Sequence, residues 1–246
     1  MATNIPPHNL GEAIDAAICL MENPEADLDE LMEHLKAPDF PTGATIMGLE
    51  GVRQMYATGR GRVTVQATIE TEEMGHDRYR LVVTDLPYLV NKATEIVRMS
   101  DLVKEKRIEG VSNIRDESDR NSPVRIVIEL KRDANPKVVM NQLYRYTRLQ
   151  DAFSANLLAL VPDELTDSLL PRTLTLHDAL HYYIEHQKEV VTRRTQYDLE
   201  RTEARRHIVE GLLLAIDNID EVIQIIRSSH TEAEAKERLS ERFGLS

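Results

Sequence analysis

From Leu176 to about Ile216 the chain runs without a proline and, before Gly211, without a glycine. Thr175 is placed to cap a helix there, and Leu180, Tyr183, Ile184, Val191 and Ile208 form a thin apolar stripe between Glu and Arg residues. A helix of about 40 residues spans about 60 Å at 1.5 Å per residue. It is too long to be buried in a domain of this size, so it is expected to project as an arm and pack on a partner helix. Ile219 to Ile226 and Ala233 to Phe243 read as two shorter closing helices. The closing Gly-Leu-Ser and the lack of a partner helix in the sequence point to a truncated segment.

Before Pro171 the texture is different. Ile14, Ala17, Ile18 and Met21 recur at helical spacing in Gly11 to Asn23, and Leu28, Leu31, Met32 and Leu35 do so after a capping Asp27. Pro38 and Pro41 end the second helix, Ala44 to Leu49 is a short strand candidate, and Gly51 to Thr58 is a short helix closed by Gly59. The period then becomes two. Val63, Val65, Ala67 and Ile69 alternate with polar neighbours, as do Tyr79, Leu81 and Val83 beyond a turn near Gly75 and His76, which predicts one antiparallel hairpin with a buried face. Asn91 caps a helix to about Lys106 with Ile96, Met99 and Val103 inward. Val124, Ile126, Ile128 and Leu130 alternate, Val138 to Leu149 is helical, and Leu157 to Val161 is a short strand. The sum is an α+β fold: a layered domain with a small antiparallel sheet over residues 1–172, then a helical arm over 173–246.

Aromatic residues make up 4% of the 246-residue chain and Trp is absent, so its cores must be aliphatic. The single cysteine, Cys19, excludes an internal disulfide and a cysteine-built zinc knuckle, and reads as a small core residue of a reducing compartment. No apolar run approaches the roughly 18–20 residues that span a bilayer. The N-terminus lacks the basic-then-apolar order of a signal peptide. The expectation is a cytoplasmic protein without a membrane partner. A net charge of −12 opposes nucleic-acid binding, but residues 1–50 hold ten acidic residues against one basic, a local balance of −9. From Tyr88 to Arg132 ten basic residues face eight acidic ones, a balance of +2, and the local field governs a DNA contact.

The chemistry-bearing patterns are few. His177 and His181 share a helical face as in the zinc-peptidase H-E-x-x-H, but Asp replaces Glu and His186 lies off that face, so two surface histidines are the expectation rather than a metal site. Gly59-Arg-Gly-Arg62 looks like a short phosphate-cradling turn, and equally like a turn into a strand with two exposed arginines. Lys104-Glu-Lys106-Arg107 and Arg193-Arg194 are ordinary solvated charge runs. No nucleophile, base and acid converge.

Longer strings are more specific. Met1-Ala-Thr-Asn-Ile-Pro-Pro-His-Asn-Leu10, Pro38-Asp-Phe-Pro-Thr-Gly43, Thr58-Gly-Arg-Gly-Arg62, Leu86-Pro-Tyr-Leu-Val-Asn-Lys92, Arg115-Asp-Glu-Ser118, Arg125-Ile-Val-Ile-Glu129 and Val190-Val-Thr-Arg-Arg194 occur in this order. Together, over essentially the whole chain, they resemble the family of DNA gyrase and topoisomerase IV A subunits, the breakage-reunion subunits of type II DNA topoisomerases, without separating gyrase from topoisomerase IV. The resemblance implies a tower domain followed by part of a coiled-coil arm. It also implies three partners: double-stranded DNA, an ATPase subunit of the gyrase B type and a second copy of the breakage-reunion subunit. ATP and catalytic Mg2+ then belong to the ATPase partner, and this chain binds no cofactor or metal.

The family's nucleophilic tyrosine lies upstream of the segment matched here. The eight tyrosines present stand in other motifs, so the isolated chain is expected to be inactive. The resemblance places the family's main dimer contact beyond Ser246, so a monomer or weak dimer is expected. By the resemblance, Ile5 is the wedge that enters the base stack and bends gate DNA. Two prolines after it stiffen the loop. Asn4 and His8 are candidate neighbours on the DNA, and Arg60, Arg62 and Lys92 are candidate phosphate contacts. The competing readings are a free-standing coiled-coil dimerisation protein and, far behind, a metallohydrolase built on His177 and His181.

Overall fold

A computed structural model describes residues 4–75, 78–163 and 168–244. The fold is α+β. In chain order, α1 (Leu10–Glu22), α2 (Leu28–His34), β1 (Thr45–Ile46), α3 (Glu50–Thr58) and β2 (Arg60–Gln66) lead into β3 (Ile69–Gly75) and β4 (Arg78–Val83). Then come α4 (Lys92–Lys104), β5 (Val111–Asp116), β6 (Ile126–Leu130), α5 (Pro136–Tyr146), β7 (Gln150–Asn156), β8 (Leu158–Pro162) and β9 (Leu169–Thr173), before α6 (Leu176–Asp217), α7 (Ile219–Ser228) and α8 (Glu232–Phe243). Two compact units divide the chain, Met1–Ile184 and Glu185–Ser246.

Capping chemistry sets the helix starts, at α2 and α4 where the sequence placed them and at α5 two residues before the expected Val138. Asp27 accepts from the Glu30 amide while the Glu30 carboxylate accepts from the Asp27 amide, a reciprocal box at the head of α2. Asn91 and Asn135 cap α4 and α5, and Pro136 occupies the first turn of α5, where no amide is needed.

The first unit holds two aliphatic cores. One gathers Ala16, Leu20, Leu31, Phe40, Val52, Met55, Tyr56, Val63 and Val65 around the sheet β1-β2-β7. The other gathers Leu81, Val83, Met99, Ile126, Ile128 and Leu143 around β3-β4-β6-β5. Residues 60–75 are therefore not one arm of a hairpin. The alternating run breaks at Ala67–Thr68, where the Ala67 amide donates to the Leu149 carbonyl at 2.7 Å and its carbonyl accepts from the Tyr144 hydroxyl at 2.9 Å. β2 thus pairs with β7, from Arg60 opposite Asn156 to Gln66 opposite Gln150, and only β3 pairs with β4. Alternation cannot reveal a change of sheet, because the face stays buried on both sides of the break. The predicted turn at His76 lies outside the described residues.

Two further readings change. α1 buries Ala16, Ala17 and Leu20, while Ile14, Ile18 and Met21 are exposed. The helix is apolar on two sides, and the side with small residues is the one packed inward. Cys19 is half-buried against the first core. β6 is buried on both faces, since Ile126, Val127 and Ile128 are all at 0% exposure. Val127 pairs with Val82 on the outer face, where Glu72, Arg80, Arg115, Glu117, Arg125 and Glu129 form a continuous ladder of ion pairs. Long charged side chains can cover such apolar surface with their stems.

In α6 only Leu176 and Ile184 are buried; Tyr183, Val191 and Ile208 of the expected stripe are exposed. In the second unit, α7 and α8 are joined by Arg242, which is held by Glu221 at 2.6 Å.

The tightest constraint is where α3 lies on β2. A Cβ at Gly61 would stand 2.4 Å from the Gly51 carbonyl oxygen and 2.7 Å from the Met55 amide nitrogen. Gly61→Ala is expected to cost about 3 kcal/mol, because backbone must move to admit the methyl. Gly48→Ala meets open space but a φ of +78°, and should cost only about 1 kcal/mol. Denaturant unfolding of the two variants checks the difference.

Candidate nucleic-acid interface

The loop from Asn4 to Asn9 contains two prolines, so most of its ties run through carbonyls and side chains. The Asn4 carbonyl accepts from the Asn156 amide at 2.8 Å, which extends the β7 edge. The Pro7 carbonyl accepts from the Asp39 amide at 2.9 Å, and Asn9 caps α1 by accepting from Gly11 and Glu12. Pro6 is buried and Asn4 is exposed. Ile5 is not the free surface side chain that its position outside any periodic face suggests. It is half-buried and packs against the first core.

His8 points inward. Its Nε2 is 2.9 Å from the hydroxyl of Tyr56, a residue 1% exposed on α3. Burial lowers the His8 pKa below the ordinary 6.5, against the opposing pull of the Pro6 carbonyl and Glu12. Burial also pushes the Tyr56 phenol up. The ring is thus engaged within the protein through its Nε2.

The Thr58-Gly-Arg-Gly-Arg62 string is a helix end and a strand start, not a phosphate cradle. Gly59 closes α3 in the left-handed conformation, at φ 74°, and its α-carbon faces the Leu174 carbonyl so closely that a Cβ would stand 2.3 Å away. The glycines serve packing, and the arginines are left over. Arg60 and Arg62 share the exposed face of β2, two residues apart, and neither guanidinium has an ion-pair or hydrogen-bond partner among the described residues. Arg60 lies opposite Asn156 in the ladder, the residue whose amide holds Asn4. Asn4, Ile5, Arg60 and Arg62 are thus brought together around the end of β7.

Lys92 is not part of this group as a free cation. Its Nζ is 3.0 Å from Asp116, which joins the Leu86–Lys92 and Arg115–Ser118 strings. A hydrogen bond from Ser118 and the nearby Lys92 ammonium hold the Asp116 carboxyl below its ordinary range.

Sequence reasoning overlooked three residues here. Arg148, paired with Asp151 at 2.7 Å, lines a cleft of about 200 Å3 beside Asn4, Tyr88, Leu89 and Ser154. The Asn156 side-chain oxygen is buried without a hydrogen-bond partner among the described residues. Glu95, 2% exposed, accepts from the Arg148 amide at 2.7 Å and so fixes the approach to β7 from α4. A lone Glu on a helix face gives no sign of this in sequence. At the cleft, Phe40 stacks on Tyr88 and both meet Phe153 at a tilt, with centroids 5.4–6.0 Å apart, which binds two of the specific strings to β7.

His177 and His181 stack at 6.3 Å, and His177 donates to the Pro24 carbonyl at 3.3 Å. Among the described residues no group of three His, Cys, Asp or Glu side chains is placed to hold a metal, and no helix is long and apolar enough to cross a membrane.

Comparison with known proteins decides the family. The model for the A subunit of DNA gyrase/topoisomerase IV matches residues 1–246. The chain belongs to this family of DNA gyrase and topoisomerase IV A subunits. It is 52% identical over 246 residues to the DNA gyrase A subunit of Clostridium acetobutylicum, covering 100% of this chain and 29% of that protein. It is 51% identical over 241 residues to the DNA gyrase A subunit of Pseudomonas aeruginosa, covering 97% of this chain and 25% of the relative. A similar match, 51% over 250 residues, is to the DNA gyrase A subunit of a Synechocystis species, 28% of whose length is covered. This gyrase-family chain therefore spans less than a third of the length of the curated relatives it matches.

The half-buried His8 has a measurable consequence. Its folded pKa lies below 6.5, so folding favours the neutral ring; the stability it supports is intact above about pH 6.5 and declines as the pH falls below that value. Melting temperature recorded from pH 7.5 down to 5 should fall, and His8→Leu should flatten that slope.

Proposed function

We propose that this segment forms part of the surface that bends gate-segment DNA in the breakage-reunion subunit of a type II topoisomerase. The observation that carries the reading is the pinned Asn4–Asn9 loop beside two unpaired arginines on β2. A wedge works only from a rigid mount, because ordering a floppy loop would absorb the contact energy that offsets unstacking. Ile5, half out of the core, is the wedge. Arg60 and Arg62 take phosphates and Asn4 lies beside them, while Lys92 and His8 contribute indirectly through Asp116 and Tyr56.

The intact enzyme joins two copies of the full-length subunit to an ATPase of the gyrase B type, to which ATP and catalytic Mg2+ belong. That assembly passes one duplex through a break in another. The segment alone is inactive, since none of its tyrosines inherits the nucleophile's motif. Tyr56, for instance, is buried and held protonated. The exposed Leu199, Ile208, Leu212, Leu213 and Ile216 of α6 support an arm that packs on a partner helix. The same stripe favours the rival reading of a free-standing helical dimerisation protein, which needs no DNA.

In a full-length subunit carrying this segment, Arg60→Ala with Arg62→Ala should weaken DNA binding and flatten its dependence on log salt by about two units, one per phosphate contact. Ile5→Ala should instead reduce the gate-DNA bend measured by fluorescence transfer, and, being half-buried, should cost about 1–2 kcal/mol of stability. An unchanged salt slope and an unchanged bend together would leave only the dimerisation reading.

A further inference from the structure

We propose that Tyr56 and His8 are positioning residues: the buried Tyr56 hydroxyl, acting through the His8 ring, holds the Asn4–Asn9 loop in the shape that offers Ile5. The inference rests on the DNA-bending reading of that loop. Tyr56 is fixed on α3, deep in the first core, with its backbone carried by the helix that Gly51 and Gly61 press against β2. Its hydroxyl meets His8 Nε2 at 2.9 Å, and the two rings lie 5.7 Å apart at 33°.

Neither group has a cheap alternative. A buried phenol without a partner costs the desolvation of its hydroxyl, so the bond constrains the loop as strongly as it satisfies the tyrosine. The remaining ties reach β7, the Asp39 amide and α1; His8 supplies the polar tie to α3. Charge around it is sparse: Glu12 on α1 and the Pro6 carbonyl both favour a cationic ring, yet burial prevails, so the neutral imidazole is favoured. The histidine of the Ile-Pro-Pro-His string is therefore part of the mount.

The test uses the 246-residue chain without DNA, by amide hydrogen exchange at Asp39 and Asn156, whose amides hold the Pro7 and Asn4 carbonyls. Tyr56→Phe keeps the ring and removes the hydroxyl. Exchange at both amides should quicken by about fivefold, while Ile128 in β6 stays as protected as before. Unchanged exchange at Asp39 and Asn156 overturns the proposal. Should Tyr56→Phe fail to fold, the half-buried His8 decides: His8→Leu should quicken exchange and His8→Gln, which keeps an acceptor for the phenol, should restore it. Equal exchange in those two variants also overturns it.

In the full-length subunit, gate-DNA bend separates the two layers of the argument. Loss of bend with both Tyr56→Phe and Ile5→Ala supports the positioning role. Loss with Ile5→Ala alone overturns that role and leaves the DNA-bending reading standing. Retention with Ile5→Ala overturns the DNA-bending reading, whatever the exchange data show.

Discussion

In the first unit two backbones meet directly. At Gly51 and Gly61 the helix α3 touches β2 with no side chain between them, and a Cβ at Gly51 would stand only 2.0 Å from the Arg62 carbonyl oxygen. That contact fixes which face of β2 is buried, and hence that Arg60 and Arg62 emerge on the other. It also fixes the helix from which Tyr56 reaches His8. The exposed arginines and the N-terminal loop are therefore placed by one packing event, in which Arg62 takes part through its backbone while its side chain emerges on the opposite face.

Electrostatics sharpens the picture. The positive balance between Tyr88 and Arg132 made that stretch a candidate for a basic surface, yet four of its ten cations are ion-paired within the fold. Lys92 pairs with Asp116, Lys104 with Asp101, and Arg115 and Arg125 belong to the ladder on the outer face of β4 and β6. Exposed pairs of this kind add little stability, roughly 0–1 kcal/mol each, but they remove charge from the field that a phosphate would feel. In a chain of net charge −12, the cations that matter are the unpaired ones, and Arg60 and Arg62 are such a pair on one strand face.

Helices were the readable part of this sequence, because their caps are local chemistry: Asp27, Asn91, and Gly59 at a helix end. Strand partnership was not readable. Val63, Val65, Ala67 and Ile69 keep one parity across a change of sheet, and β5, β7 and β9 lack a clean alternation of their own. The polar run of β7, with Gln150, Asp151, Ser154 and Asn156, conceals the strand that pairs with β2 along its whole length. The candidate site was legible as strings, not as geometry. Which side chains point inward is set by tertiary packing, so the half-burial of His8 and Ile5 and the pairing of Lys92 had no local signature.

The central claim is that Ile5 leaves its shallow seat on the core and enters the base stack. Its most direct test is a fluorescent adenine analogue, 2-aminopurine, stepped through a gate duplex bound to the full-length subunit, since unstacking brightens the analogue. The account predicts that the signal rises at one step on each half of the duplex and disappears with Ile5→Ala while the DNA remains bound. A duplex that stays dark at every step, or one that brightens equally with alanine in place of Ile5, would contradict it.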